Sequence, residues 1–84
     1  MRFEIRFSEE ALSKLRKLDN PNAKRIIEKL EGASKNPGHF FERLVGREER
    51  KLRVGDYRVI VRILPSEKIV FVYSLGHRKN IYKK

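Results

Sequence analysis

Lys51, Arg53 and Arg58 are the residues whose types and spacing best suit chemistry on an anion. They flank Gly55-Asp56, a dipeptide that suits a two-residue hairpin turn. With that turn Val54 sits opposite Tyr57, Arg53 opposite Arg58, Leu52 opposite Val59 and Lys51 opposite Ile60, and alternation sets the three cations on one face. Like charges facing each other across two strands are destabilising, so stability alone gives no reason to set Arg53 against Arg58. A bound anion supplies one. The competing reading is a solvated sheet face whose arginines pair with Glu49 or Glu67, and a one-residue slip would invert the faces.

A second basic segment closes the chain. Gly76-His77-Arg78-Lys79-Asn80-Ile81-Tyr82-Lys83-Lys84 mixes cations with one aromatic ring. That mixture suits nucleic acid, with Arg and Lys on phosphates and Tyr stacked on an unpaired base. The competing reading is a basic terminus with Tyr82 packed on the domain. His77 alone reads as a surface polar residue. Tyr57 and Tyr73 fit strand alternation and are expected in the core or against turns, and Gly46, Gly55 and Gly76 are expected at turns.

Charge supports the same partner class. The formal net charge is +10 on 84 residues, from 21 Lys and Arg against 11 Asp and Glu. Residues 1–42 hold nine basic and seven acidic residues, whereas residues 43–84 hold twelve and four. An ion-pair surface of the thermophile kind predicts a near balance along the chain; the skew toward the second half points instead to a polyanion. No basic amphipathic helix accompanies it, which favours RNA or DNA over a membrane. Zero cysteines exclude a disulfide framework, a zinc ribbon and thiol catalysis. The two histidines, His39 and His77, stand 38 residues apart with no third beside them, so neither a metal nor a cofactor is expected. The longest apolar run, Ile69 to Tyr73, is far too short to span a bilayer, and no leader pattern opens the chain, so a cytoplasmic protein is expected.

The elements that position these residues follow from periodicity. Phe3, Ile5 and Phe7 alternate with Arg2, Glu4 and Arg6 as in a half-buried strand. Ser8 offers a helix N-cap, Glu9 and Glu10 favour the first turn, and Ala11, Leu12, Leu15 and Leu18 follow at helical spacing. Asn20 caps a second helix with Pro21 at its first position, and Ala23, Ile26, Ile27, Leu30 and Ala33 form its buried stripe. The two make a helical hairpin. Asn36-Pro37-Gly38 ends it and starts a loop of about ten residues, pinned to the core by Phe40, Phe41 and Leu44. Three β-rich runs follow, Glu49–Val54, Tyr57–Leu64 and Lys68–Leu75, joined by turns too short for parallel crossovers. The predicted fold is a single α+β domain over residues 1–84: strand, two helices, then an antiparallel three-strand meander, with the hairpin covering one sheet face.

These pieces carry a resemblance. Lys51-Leu52-Arg53-Val54-Gly55-Asp56-Tyr57-Arg58-Val59-Ile60, a valine-rich strand, Gly76-His77-Arg78 and the closing Tyr82 resemble the RelE/ParE superfamily of bacterial and archaeal toxins, the RelE branch most. The opening strand, the Ser-capped helix and Leu15-Arg16-Lys17-Leu18 extend the match over nearly the whole chain. The resemblance implies a ribosome-dependent endoribonuclease that cuts messenger RNA in the decoding site of the small subunit and is held inactive by a RelB-like antitoxin, whose contact segments the positive charge predicts to be acidic or amphipathic. It also implies the catalytic set: Lys51 matches the family's strand lysine, Arg58 the arginine after the turn, Arg78 the arginine after the last strand and Tyr82 the C-terminal tyrosine. Arg53 matches a nearby basic position, and Arg50, His77, Lys79, Lys83 and Lys84 complete the expected RNA contacts. One departure stands out. A second family lysine, two residues before Lys51, is Glu49 here; Glu49 is a candidate for proton transfer, and Arg50 is a candidate to restore the lost charge.

RNA cleavage without metal uses the neighbouring 2′-hydroxyl as nucleophile, so a protein has only to hold it in line, take its proton, neutralise the phosphorane and protonate the leaving oxygen. Arg58 is assigned to the phosphate oxygens, Lys51 to phosphate contact or proton transfer, Arg78 to the phosphate or leaving group, and Tyr82 to stacking or proton transfer. Two other classes stay open: a ParE-like inhibitor of DNA gyrase on the same fold, and a non-catalytic RNA- or ribosome-binding module.

Overall fold

Phe3, Ile5 and Phe7 lean on the core while Glu4 and Arg6 face solvent, and this alternation makes β1, Glu4–Phe7, in a computed structural model that describes residues 3–44, 46 and 48–77. Ser8 caps α1, Glu9–Arg16, as its sequence predicts: its hydroxyl accepts from the Ala11 N–H at 3.0 Å and donates to the Tyr73 carbonyl at 2.7 Å, tying the helix start to the sheet. Glu10 accepts from Lys14 Nζ at 3.1 Å and from the Ser74 hydroxyl at 3.1 Å, and these partners hold its carboxyl below its ordinary range. The next helix, α2, Asn20–Ala33, starts one residue earlier than expected. Asp19 stands at the N-cap in place of Asn20, and its carboxylate accepts from the Asn22 side chain at 2.8 Å.

Beyond α2 the expected loop has structure of its own. A single helical turn, α3, Pro37–Phe40, leads into a two-residue strand, β2, Glu42–Arg43. Phe41 between them is buried, whereas Phe40 is 51% exposed. The remaining strands are β3, Arg50–Val54, β4, Tyr57–Leu64, and β5, Ile69–His77. Strand β5 starts after Lys68, which sits in the left-handed region at φ 57°, and it runs two residues past Leu75, so Gly76 is a strand residue and not a turn glycine.

The sheet order is β1-β5-β4-β3-β2, with β1 parallel to β5 and every other pair antiparallel. Strands β3 to β5 form the expected meander. The β3–β4 register is the one the Gly55-Asp56 turn dictates, Arg53 against Arg58 and Lys51 against Ile60. Gly55 has φ 60° and Asp56 is not in the left-handed region, the pattern of a type II′ turn. Helix α1 lies on β5 and α2 on β3, both on one face. There Ala11, Leu15, Ile26, Leu30 and Ala33 pack on Leu52, Val54, Val59, Val61, Val70, Val72 and Leu75, with Phe41 closing the core. Leu12 and Ile27, expected in the helix stripes, are 36% and 38% exposed and lie outside it.

Gly55 has a further constraint. A Cβ built there lies 2.8 Å from the Arg25 Nη1 reaching over from α2. Gly55→Ala combines that displacement with left-handed strain of about 1–2 kcal/mol for an L-residue. The expected result is a melting temperature lower by about 4–8 °C per kcal/mol in a domain of this size, read by circular dichroism. An unshifted midpoint would show that the turn relaxes without cost.

Candidate nucleic-acid interface

Strand alternation carries the β3 and β4 side chains to two faces. Leu52, Val54, Val59 and Val61 go under the helices, and Lys51, Arg53, Arg58, Ile60 and Arg62 go to the open face. The structure therefore brings Lys51, Arg53 and Arg58 together. Arg53 is exposed and Lys51 half-buried, its Nζ 4.0 Å from the Glu42 carboxylate. Arg58 is only 7% exposed, and its Nε has no hydrogen-bond partner among the described residues. Its other cross-strand neighbour is Gly76, which brings no side chain against it.

A guanidinium N–H kept from water without an acceptor is unfavourable by roughly 1–3 kcal/mol, or more for a charged group. Such an arrangement, with Arg53 directly across the ladder, suits an incoming polyanion oxygen. Among the described residues neither Arg53 nor Arg58 forms the ion pair with Glu49 or Glu67 weighed from sequence, and Lys51 faces Glu42 instead.

Two expected contacts lie elsewhere. Arg50 has the parity of Leu52 and Val54, and its Nη1 donates to the Phe41 carbonyl at 3.4 Å, so it does not replace the charge lost at Glu49 on the open face. His77 pairs with Tyr57 and not with Arg58, and the two rings meet edge to face with centroids 5.8 Å apart. Glu49 is half-buried just ahead of β3. Arg78, Lys79, Tyr82, Lys83 and Lys84 lie outside the described residues. Among the described residues no group of three His, Cys, Asp or Glu side chains is placed to hold a metal ion, and no helix is long and apolar enough to cross a membrane.

Sequence reasoning passed over Arg62. It lies four residues beyond Arg58 on the same strand face and forms an ion pair with Glu48. That hydrogen bond holds its guanidinium more firmly in the charged form, with Glu49 adding to the effect. The signal was readable, because alternation from Arg58 through Ile60 reaches Arg62.

An opening strand, two helices on one sheet face, and an antiparallel meander with a basic open face make an α+β fold shared with solved toxin structures. The RelBE2 toxin-antitoxin complex from Mycobacterium tuberculosis contains the same fold, at a TM-score of 0.82 and 24% identity over 95% of both chains. The intact RelBE toxin-antitoxin complex of E. coli superposes at a TM-score of 0.76 with 28% identity, over 89% of this chain and 95% of that one. In sequence, a RelE-like toxin protein of Escherichia coli is 28% identical over 82 residues, 94% of this chain and 86% of its own. Residues 5–82 match the family described as ParE toxin of the type II toxin-antitoxin system parDE. The chain belongs to the RelE/ParE superfamily of type II toxin-antitoxin toxins, in its RelE-like branch.

Proposed function

We propose that this toxin is a ribosome-dependent endoribonuclease that cuts messenger RNA in the ribosomal A site by metal-independent attack of the 2′-hydroxyl. The observation that carries the reading is Arg58, a buried guanidinium with an unsatisfied Nε, set beside Arg53 and Lys51 on an open sheet face. In this mechanism the O2′–P bond forms as the P–O5′ bond breaks. Arg58 neutralises the charge that builds on the non-bridging oxygens, where a pre-positioned donor acts most strongly. Lys51 holds the phosphate or transfers a proton, Arg78 contacts the phosphate or leaving oxygen, and Tyr82 stacks on a base or transfers a proton. Glu49 is a second candidate for accepting the 2′-hydroxyl proton. Arg53, Lys79, Lys83 and Lys84 extend the phosphate contacts.

None of these side chains is a strong neutral-pH base, which is consistent with a site that the RNA conformation on the ribosome completes. The partner proposed to hold it inactive is a RelB-like antitoxin with acidic or amphipathic contact segments, in keeping with the RelB–RelE pairing of the E. coli relative and with the +10 charge. The proposed site of action is the cytoplasm.

Cleavage of message on programmed ribosomes is expected to leave 2′,3′-cyclic phosphate and 5′-hydroxyl ends, read by end-specific ligation. Fragments with 3′-hydroxyl ends would contradict the mechanism. The family match to ParE toxins of parDE gives a second reading, inhibition of DNA gyrase. A supercoiling assay separates the two: the nuclease reading expects gyrase to run unimpeded.

A further inference from the structure

The open face carries a second group of side chains beyond the basic cluster. Arg62 and Phe71 are cross-strand partners and so share that face. A β-bulge lies next to them: Ile60 pairs with Ser74 but Val61 with Val72, which leaves Tyr73 as the extra residue of β5. The Tyr73 ring is thrown outward, 42% exposed, and meets the Phe71 ring edge to face at 5.8 Å. Arg62 also lines a cavity of about 460 Å³ with Glu48, Ile63, Leu64 and Pro65, to which Arg43 and Arg50 contribute from the opposite strand parity. Glu48, the ion-pair partner of Arg62, is the sole carboxylate among the lining residues, so an anion that displaces it meets the Arg62 guanidinium.

We infer that Arg62, Phe71 and Tyr73 form a second single-stranded RNA contact, in which Arg62 binds a phosphate in exchange for Glu48 and the Tyr73 ring stacks on an unpaired base. This rests on reading the toxin as an RNA-cutting enzyme and names where the strand continues past the bond that is cut. Arg62 lies four residue steps along the strand from Arg58, a run of about 13 Å, so Arg62 meets a different phosphate of the same strand. An exposed aromatic ring beside an arginine is what favours RNA here: base stacking uses the ring face, whereas an acidic polypeptide would need only the cations.

The test is direct binding of a fluorescent 2′-O-methyl RNA decamer, which cannot be cut by 2′-hydroxyl attack, to the full chain over a salt series, beside cleavage on programmed ribosomes. Arg62→Ala is expected to bind several-fold more weakly, with a log affinity against log salt slope shallower by about 0.7, the increment for one phosphate on a single strand. Tyr73→Ala is expected to lose about fivefold or more, the lower end for one base–aromatic stack, at an unchanged slope. Tyr73→Phe keeps the ring and is expected to bind as the parent does. Glu48→Gln releases Arg62 and is expected to bind more tightly. Parent affinity and slope in both Arg62→Ala and Tyr73→Ala would overturn the patch while ribosomal cleavage by the parent leaves the nuclease reading standing. Weakened RNA binding in both, with no cleavage by the parent, would support the patch and remove the nuclease. If the variants lose affinity only for a polyglutamate peptide, the patch serves a protein and the RNA assignment falls.

Discussion

Arg58→Ala is expected to slow single-turnover cleavage on programmed ribosomes by about a hundredfold or more, the loss typical of one pre-positioned donor to a developing oxyanion. The physical basis is local. Arg58 is buried, its Nε is unpaired among the described residues, and Gly76 beside it brings no side chain to compete for the guanidinium. On the proposed mechanism that unpaired donor meets the charge that builds on the phosphate oxygens in the transition state. Ribosome binding is expected to change little, because one cation is removed from a broad electrostatic footprint. Lys14→Ala makes the control: Lys14 pairs with Glu10 on α1, and neither cleavage nor binding is expected to move. An unchanged single-turnover rate in Arg58→Ala would take that residue out of the chemistry.

Phe41→Ala is expected to lower stability by about 3–5 kcal/mol, the range for emptying a buried aromatic site. Phe41 is 2% exposed and joins the core from the link between α3 and β2, where its own carbonyl accepts from Arg50. A domain of 84 residues has roughly 4–13 kcal/mol in all, at ~0.05–0.15 kcal/mol per residue. The loss is thus a large share of the total, and the melting temperature is expected to fall by more than about 12 °C. Phe40→Ala next to it, half exposed, is expected to shift the midpoint by only a few degrees. Equal shifts in the two variants would contradict the placement of Phe41 as the anchor.

What the sequence made legible follows from how local each signal is. The pairing of Arg53 with Arg58 could be read because Gly55-Asp56 is short enough to permit one register, and that register also sets Lys51 on the same face. The second helix start was misplaced by one residue because Asp19 and Asn20 are equally good caps and Pro21 is tolerated anywhere in the first turn. Strand β2 has two residues and thus no period to detect. The bulge at Tyr73 hid for a related reason: Val72 and Leu75 both point inward across an odd spacing, and a short apolar run does not reveal which of its members breaks the alternation. Arg50 was grouped with the site as a substitute for the charge lost at Glu49 and His77 as a neighbour of Arg78, whereas their strand parity sends both to the other face. The parallel pairing of β1 with β5 joins segments more than sixty residues apart and has no local trace.

The proposed activity is cleavage of message only where the ribosome presents it. Primer extension on a defined message tests it most directly, with and without translating ribosomes and with and without the protein. New stops are expected within the A-site codon of paused ribosomes, and only when protein and ribosomes are both present. Intact message on translating ribosomes, or equal cutting of ribosome-free message, would contradict it.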